Sequence, residues 1–173
     1  MRFQHVSALI VSAALITAVL PRAASADGIS LGANIGAARV NGGDFDGSDT
    51  GWKAHIGSSL GAIFGGEIGY VDFGKLGGDG PNARAWAPAL TVGVPAGPTN
   101  IYAKRGVAFA DIDRTPIRDE YRNNDPFFGV GLRINMTGNP RGNGLGFRAE
   151  YERYRLDHPI DMAQAGLELL FGN

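Results

Sequence analysis

Hydrophobic and polar residues alternate in eight separate segments of this chain. The segments cover approximately residues 29–40, 51–62, 64–73, 83–94, 100–110, 126–136, 144–154 and 162–171, and Gly, Pro, Asn or Asp clusters bound them. A pleated strand sends alternate side chains to opposite faces, so each segment is predicted to be a strand with one apolar face. In "FGGEIGYVDFGKL", for example, Phe64, Ile68 and Tyr70 share one face while Glu67 lies on the other. Helical spacing with capping residues is not found after residue 26, which indicates an all-β fold.

The connections between these segments alternate in length. Those after the second, fourth and sixth segments are compact, whereas those after the first, third, fifth and seventh are mostly longer and more polar. Outer-membrane barrels show this asymmetry, with tight periplasmic turns and larger external loops. A segment of 10–12 residues, at about 3.3 Å per residue and a tilt near 40°, spans roughly 25–30 Å, the height of a lipid-facing band. The pattern therefore predicts an eight-stranded, antiparallel, up-and-down transmembrane β-barrel.

Alternation alone does not decide which face is inside, because a soluble lipocalin-like barrel turns its apolar face inward. Two further features favour lipid on the apolar face. Glycine recurs on the charged face, where a narrow interior must accommodate long side chains. Aromatic residues on the apolar face lie near segment ends, as interface girdles do. The predicted girdles comprise Trp52, Tyr70, Trp86, Phe109 and Phe128 towards the long loops, and Phe64, Phe147 and Phe171 towards the short turns. A soluble periplasmic lipocalin-like binder is kept as an alternative.

The N-terminal segment reads as a secretion signal. Arg2 is followed by an apolar stretch over residues 6–20 and by Ala24-Ser25-Ala26, a small-x-small cleavage site. We therefore predict a cleaved signal peptide at 1–26 and an outer-membrane β-barrel domain at 27–173. The 173 residues include 16 basic and 17 acidic side chains. This balance gives no reason to expect a nucleic-acid partner.

Charged residues on the inward face recur at similar distances from the short-turn ends of five segments. A charge left alone in a dry interior is costly, so these groups are expected to pair with one another or to contact water. We interpret the set as a structural network that fills a lumen no wider than its side chains; an ionic gate is the alternative. The predicted interior ionic network comprises Glu67, Lys104, Arg133, Arg148, Glu150 and Glu168.

Four motifs in order resemble the OmpA-like, opacity-type family of eight-stranded outer-membrane barrels. They are "GGEIGYVDFGK", "IYAKRGVAFA", "GFRAEYERY" and "GLELLF", and the resemblance covers about residues 28–171, the barrel domain only. It implies an inward glutamate and arginine that can exchange partners, here Glu67 and Arg148, with Lys104 as a competing base. It also implies recognition of the terminal aromatic, Phe171, by the barrel-assembly machinery. Arg105 has outward parity but is charged, so it departs from the apolar lipid-facing pattern. Its side chain is expected to reach towards a membrane interface.

Little in the sequence indicates catalysis or cofactor chemistry. Some barrels of this size modify lipid A, but acyl transfer needs a nucleophile beside a base, and only the pair Ser48 and His158 could meet in loops. His55 is expected to be an interior hydrogen-bonding group. Asp44, Asp46 and Asp49 lack an EF-hand pattern, and no metal or cofactor is predicted. Arg114, Arg118 and Arg122 could meet lipopolysaccharide phosphates, although a solvated loop is the favoured interpretation.

The sequence therefore favours a non-enzymatic, monomeric, exported barrel of the bacterial outer membrane. Its expected role is envelope integrity or the presentation of surface loops, and its expected partners are outer-membrane lipid, lipopolysaccharide and the barrel-assembly machinery. A small gated ion pore, which is the porin-like alternative, and a lipid A-modifying enzyme remain open at this point.

Overall fold

A computed structural model describes residues 26–40, 47–75, 82–112, 121–137, 143–156 and 159–172. These residues form eight antiparallel strands that close into a single barrel, each strand pairing with its neighbours in sequence and the last pairing with the first. The predicted fold class is confirmed. The strands are β1 (Ala26–Val40), β2 (Gly47–Leu60), β3 (Phe64–Lys75), β4 (Asn82–Ala96), β5 (Thr99–Ile112), β6 (Tyr121–Asn135), β7 (Gly144–Tyr154) and β8 (Ile160–Gly172).

Most strand ends agree with the alternation pattern, and the differences lie mainly on the side of the long connections. β6 begins at Tyr121, five residues earlier than predicted (126 − 121), and β2 begins at Gly47 instead of residue 51. Residues 122–124 of β6 are all polar, so they carry no hydrophobic periodicity, yet their backbone pairs with β5. Backbone hydrogen bonding to a neighbour extends the strand where the side-chain pattern has ended. On the opposite side β2 stops at Leu60, because residues 61–63 form the turn.

The predicted signal peptide lies outside the described residues except for Ala26, with which β1 begins. No helix in the described part of the chain has the length and apolarity needed to cross a membrane.

The apolar face of each strand points away from the barrel axis. Ile35 is 64% exposed and Leu90 is 74% exposed, whereas the inward neighbours Asn34 and Ala89 are buried. Such large exposed hydrophobic side chains recur on all eight strands. A soluble protein does not expose a continuous apolar band of this kind, whereas a barrel in lipid requires one.

The interior is divided into three levels. An apolar plug fills the end near the long connections, where β1 ends at Val40 and β7 ends at Tyr154. Buried charged side chains form the middle level. A cavity of about 810 Å³ occupies the end near the short turns and is lined by the turn residues Gly61 and Gly97, among others. The plug comprises Ala38, Val40, Val71, Phe73, Ala83, Ala85, Ala87, Ala89, Ala108, Ala110, Phe127, Tyr154, Leu156, Ile160 and Met162.

The seam between β1 and β8 closes the barrel and depends on a glycine. Gly36 lies opposite Gln164, and a methyl group added to Gly36 would overlap the Ala163 carbonyl oxygen and lie 2.5 Å from the Gln164 Cα. Both are backbone atoms, so neither can move aside without distorting the strand pairing.

We expect Gly36→Ala to lower the free energy of unfolding in lipid by about 1–3 kcal/mol. The matched control is Gly66→Ala, because a methyl group at Gly66 has its nearest neighbour, the Ala89 carbonyl oxygen, at 3.9 Å. Urea unfolding of both variants in vesicles measures the difference. Equal unfolding midpoints for the two variants would show that the seam has room for a methyl group.

Candidate functional site

The inward-facing charged groups come from six strands and form one connected cluster, the ionic layer. Strand alternation sends Arg148, Glu150 and Glu152 of β7 to the same inner face. Lys53 of β2 and Glu67 of β3 face them across the lumen. The layer comprises Lys53, Glu67, Lys104, Arg133, Arg148, Glu150, Glu152 and Glu168, and of these only Arg133 is not buried.

Two lysines bridge three carboxylates at the centre of the ionic layer. Lys53 Nζ lies 2.6 Å from Glu67 Oε1, 2.8 Å from Glu152 Oε1 and 3.4 Å from Glu150 Oε2. Lys104 Nζ lies 2.5 Å from Glu150 Oε1 and 3.2 Å from Glu67 Oε1, and it also contacts Glu152. Each ammonium group therefore has several acceptors, which is the arrangement that offsets the loss of hydration of a buried charge.

Arg148 connects this centre to Glu168, which lies nearer the short turns. Its Nη2 contacts Glu67 and lies 2.5 Å from Glu150 Oε1, and its Nη1 lies 3.5 Å from Glu168 Oε2. The guanidinium carbon is 5.2 Å from the centroid of the Tyr102 ring, and the Tyr102 hydroxyl donates a hydrogen bond of 2.7 Å to Glu150. Glu67 thus contacts both bases that the family resemblance implies, Arg148 and Lys104.

A second group of the ionic layer faces the short-turn cavity. Glu168 contacts Arg133 and lies 3.6 Å from Nε2 of the buried His55. The Arg133 side chain is 31% exposed and lines the cavity together with Tyr102. The six predicted network residues therefore fall into two groups, with Arg133 and Glu168 nearer the short turns and the other four at the centre.

Uncharged polar side chains complete the hydrogen bonding of the central carboxylates. Tyr154 Oη donates to Glu152 Oε2 at 2.7 Å, and Gln164 Nε2 donates to the same oxygen at 2.8 Å. Asn34 Nδ2 donates to Glu150 Oε2 at 3.2 Å. Because Tyr154 also belongs to the apolar plug, its hydroxyl group connects the plug to the ionic layer.

The formal charges of the ionic layer balance, with four acids (Glu67, Glu150, Glu152, Glu168) and four bases (Lys53, Lys104, Arg133, Arg148). Oxygens of Glu67, Glu150 and Glu152 approach within 4.8 Å of one another, a spacing that could hold a metal ion. Lys53, Lys104 and Arg148 already occupy the space among these oxygens. The carboxylates are therefore neutralised by side chains of the chain itself.

Two central residues were not in the predicted network, Lys53 and Glu152. Lys53 has inward parity in the sequence, and Glu152 continues the inward series of Arg148 and Glu150. The prediction grouped residues by their distance in sequence from the short-turn end of each strand. By this count Glu67 is three residues from Phe64 but Glu152 is eight from Gly144 (152 − 144), so the count placed the two at different depths. Lys53 nevertheless contacts both glutamates. Strands of a barrel are tilted and staggered, so equal counts do not correspond to equal heights.

The predicted girdle residues all lie on the outer face of the barrel. The ring centroids of Trp52 and Tyr70 are 5.6 Å apart, and those of Tyr70 and Trp86 are 5.1 Å apart, so three aromatic residues on β2, β3 and β4 form a continuous row. Tyr70 and Phe147 are half-buried and the others are exposed: Trp52, Phe64, Trp86, Phe109, Phe128 and Phe171.

Several residues of interest in the connections lie outside the described residues, namely Asp44, Asp46, Arg114, Arg118 and His158. Asp49 is described, and its carboxylate accepts hydrogen bonds of 2.7 Å from the backbone N–H groups of Thr50 and Lys75. It therefore joins β2 to the end of β3.

Comparison with known proteins agrees with this architecture. The model of the family described as "Outer membrane protein beta-barrel domain" matches residues 7–170. No curated protein matches the chain.

Solved structures similar to the chain include three bacterial barrels. The N-terminal β-barrel domain of Pseudomonas aeruginosa OprF has a TM-score of 0.58 at 17% identity, over 82% of this chain and 97% of that one. Yersinia pestis Ail, the attachment invasion locus protein, has a TM-score of 0.57 at 17% identity, over 84% of this chain and 99% of that one. Neisserial surface protein A has a TM-score of 0.57 at 10% identity, over 82% of this chain and 96% of that one. At these identities the likeness concerns the fold.

Proposed function

The chain belongs to the outer membrane protein β-barrel family, and from this premise we propose that it is a sealed, non-enzymatic barrel that contributes to envelope integrity. It is located in the bacterial outer membrane. The apolar band contacts lipid, the short turns face the periplasm, and the long connections are presented at the cell surface.

The proposed partners are outer-membrane lipid, lipopolysaccharide and, during insertion, the barrel-assembly machinery. We propose that the barrel is monomeric, because closure of β1 on β8 leaves no strand edge free for pairing.

The observation that carries this proposal is the filling of the lumen at two successive levels. An ion entering from the periplasm would reach the cavity of about 810 Å³, whose inner boundary includes Tyr102 and Arg133. It would next meet the mutually paired groups of the ionic layer, and then Phe73, Phe127 and Tyr154 of the plug. None of these three plug residues lines the cavity. A dehydrated apolar segment above a charge-neutral layer is a barrier to ions of either sign.

The paired charges of the interior also argue against catalysis there. His55 is buried, and its closest charged neighbour is Glu168 in the ionic layer. The described hydroxyl groups of Ser30 and Ser59 lie at the short-turn end, on the periplasmic side of the ionic layer. A base and nucleophile within hydrogen-bond reach of an acyl substrate are what a lipid A-modifying enzyme requires. The interior described here is organised instead as a set of paired charges.

We expect the purified protein to show no sustained conductance in a planar bilayer. The measurement compares wild-type protein with protein-free bilayers and with the charge-reversal variants Glu67→Lys and Arg148→Glu. Heat-modifiable gel mobility first verifies that the wild-type protein is folded. The absence of channel openings is then the result expected of a sealed barrel. Channel openings of the wild type whose conductance changes on charge reversal would replace this proposal with the gated pore.

A further inference from the structure

Two arginines point away from the barrel on either side of Phe128, on the wall formed by β5, β6 and β7. Arg105 of β5 lies directly opposite Phe128 of β6 in the strand register, and both side chains are exposed. Arg155 follows the end of β7, and its Cζ lies 5.7 Å from the centroid of the Phe128 ring. The Arg155 backbone N–H donates to the Pro126 carbonyl oxygen at 3.2 Å, which holds this residue beside β6.

These two arginines differ from the outward-facing Arg84 and Arg153 in lacking an acidic partner among the described residues. Arg84 Nε lies 3.2 Å from Asp72 Oδ2. Arg153 donates to both carboxylate oxygens of Asp161, at 2.7 and 2.8 Å. Within the described ranges no acidic side chain forms an ion pair with Arg105 or with Arg155. This wall therefore carries two positive charges that the described part of the protein does not neutralise.

The position of Arg105 makes the absence of a partner more significant. It is six residues from Thr99, the first residue of the 14-residue β5, and its cross-strand neighbour on β4 is the exposed Leu90. The outward residues before and after it on β5 are Ala103 and Val107. The Arg105 side chain therefore leaves the backbone within the apolar band. A charged group there is unfavourable unless it reaches an interface or an anion. Acyl chains offer no anion, and the nearest anions in a lipid leaflet are the headgroup phosphates.

We propose that Arg105 and Arg155 bind a phosphate group of an outer-leaflet lipid of the lipid A class, a phosphorylated glucosamine disaccharide carrying acyl chains. The two guanidinium groups form charge-assisted hydrogen bonds with the phosphate oxygens. Phe128 lies between them, and the acyl chains extend over the apolar wall on the short-turn side, where Ile101 and Val130 are exposed. This inference rests on the orientation proposed above, with the long connections at the cell surface, and assigns a site to the lipopolysaccharide partner. It does not depend on the sealed lumen and would stand even if the barrel conducted ions.

The test is native mass spectrometry of the folded, full-length protein in detergent, titrated with bisphosphorylated lipid A. We expect the double variant Arg105→Gln/Arg155→Gln to weaken binding about tenfold or more. The matched control Arg84→Gln removes one outward arginine that already has Asp72 as its partner, and its affinity should stay within about twofold of wild type. Heat-modifiable gel mobility verifies folding of each variant.

Two further arms use the wild-type protein alone, so that the proposal stays testable if a variant fails to fold. Lipid A from which both phosphates have been removed should bind as weakly as bisphosphorylated lipid A binds the double variant. Inorganic phosphate at millimolar concentration should not displace lipid A, because it lacks the acyl chains. Equal affinity of wild type and double variant, full binding of the dephosphorylated lipid, or displacement by inorganic phosphate would each overturn a lipid phosphate site.

Discussion

Replacing Arg148 with alanine is expected to lower the free energy of unfolding in lipid by about 3–5 kcal/mol. Arg148 contacts Glu67, Glu150 and Glu168, and its side chain is 1% exposed. Alanine would leave these three carboxylates with one base fewer in a space that the protein does not open to water. Uncompensated buried charge is among the most destabilising changes known for a single side chain.

The control for Arg148 is Arg153→Ala on the same strand. Arg153 is also paired, with Asp161, but its side chain faces outward and is 43% exposed. Partly exposed pairs contribute about 0–1 kcal/mol. Arg148→Met, which keeps most of the volume, separates charge from packing, and it should be nearly as destabilising as alanine. Urea unfolding in vesicles, followed by tryptophan fluorescence, measures all three variants. Midpoints for Arg148→Ala and Arg153→Ala that agree within error would show that the ionic layer is hydrated.

The second large effect is expected from Phe127→Ala, with a loss of about 3–5 kcal/mol in the free energy of unfolding. Phe127 is 1% exposed and stacks on Tyr154, with ring centroids 4.8 Å apart and planes at 15°. Tyr154 in turn meets Phe73 edge to face, also at 4.8 Å. Removing the Phe127 ring leaves a cavity that the surrounding strands cannot close, because pairing with their neighbours holds them in place.

The neighbouring residue supplies the control for Phe127. Phe128 is 41% exposed on the opposite face of the same strand. Phe128→Ala removes the same number of atoms, but mobile acyl chains can fill the space, so we expect a smaller loss of about 1–2 kcal/mol. Both variants are compared with wild type by the same unfolding measurement. A loss for Phe128→Ala as large as that for Phe127→Ala would contradict the existence of a packed plug.

The plug was the main part of the interior that the sequence analysis did not predict. Its small members, such as Ala83, Ala85 and Ala108, carry no signal of their own, because alanine is compatible with either face of a strand. Phe127 and Phe73 have inward parity in the sequence. Their significance emerges only when β3, β6 and β7 bring Phe73, Phe127 and Tyr154 into contact across the lumen.

For the ionic layer, the sequence assigns residues to the inner face but does not determine how they pair. Strand periodicity is local, so it assigns Glu67, Lys104 and Arg148 to the inner face from the sequence alone. Pairing depends on the stagger of strands around the closed barrel, which no single segment encodes. The Lys53–Glu152 contact, between residues 99 positions apart, is of this kind.

The sequence by itself determined the number of strands, their direction, the inward and outward parity of every segment and the lipid-facing band. These features follow from a side-chain period of two and from the length of the connections, both of which act over a few residues. Only the tertiary structure decided which charges meet, where the lumen is blocked and which outward arginines lack partners. Those properties depend on the stagger set when β1 pairs with β8, because closure places distant residues at the same height in the membrane.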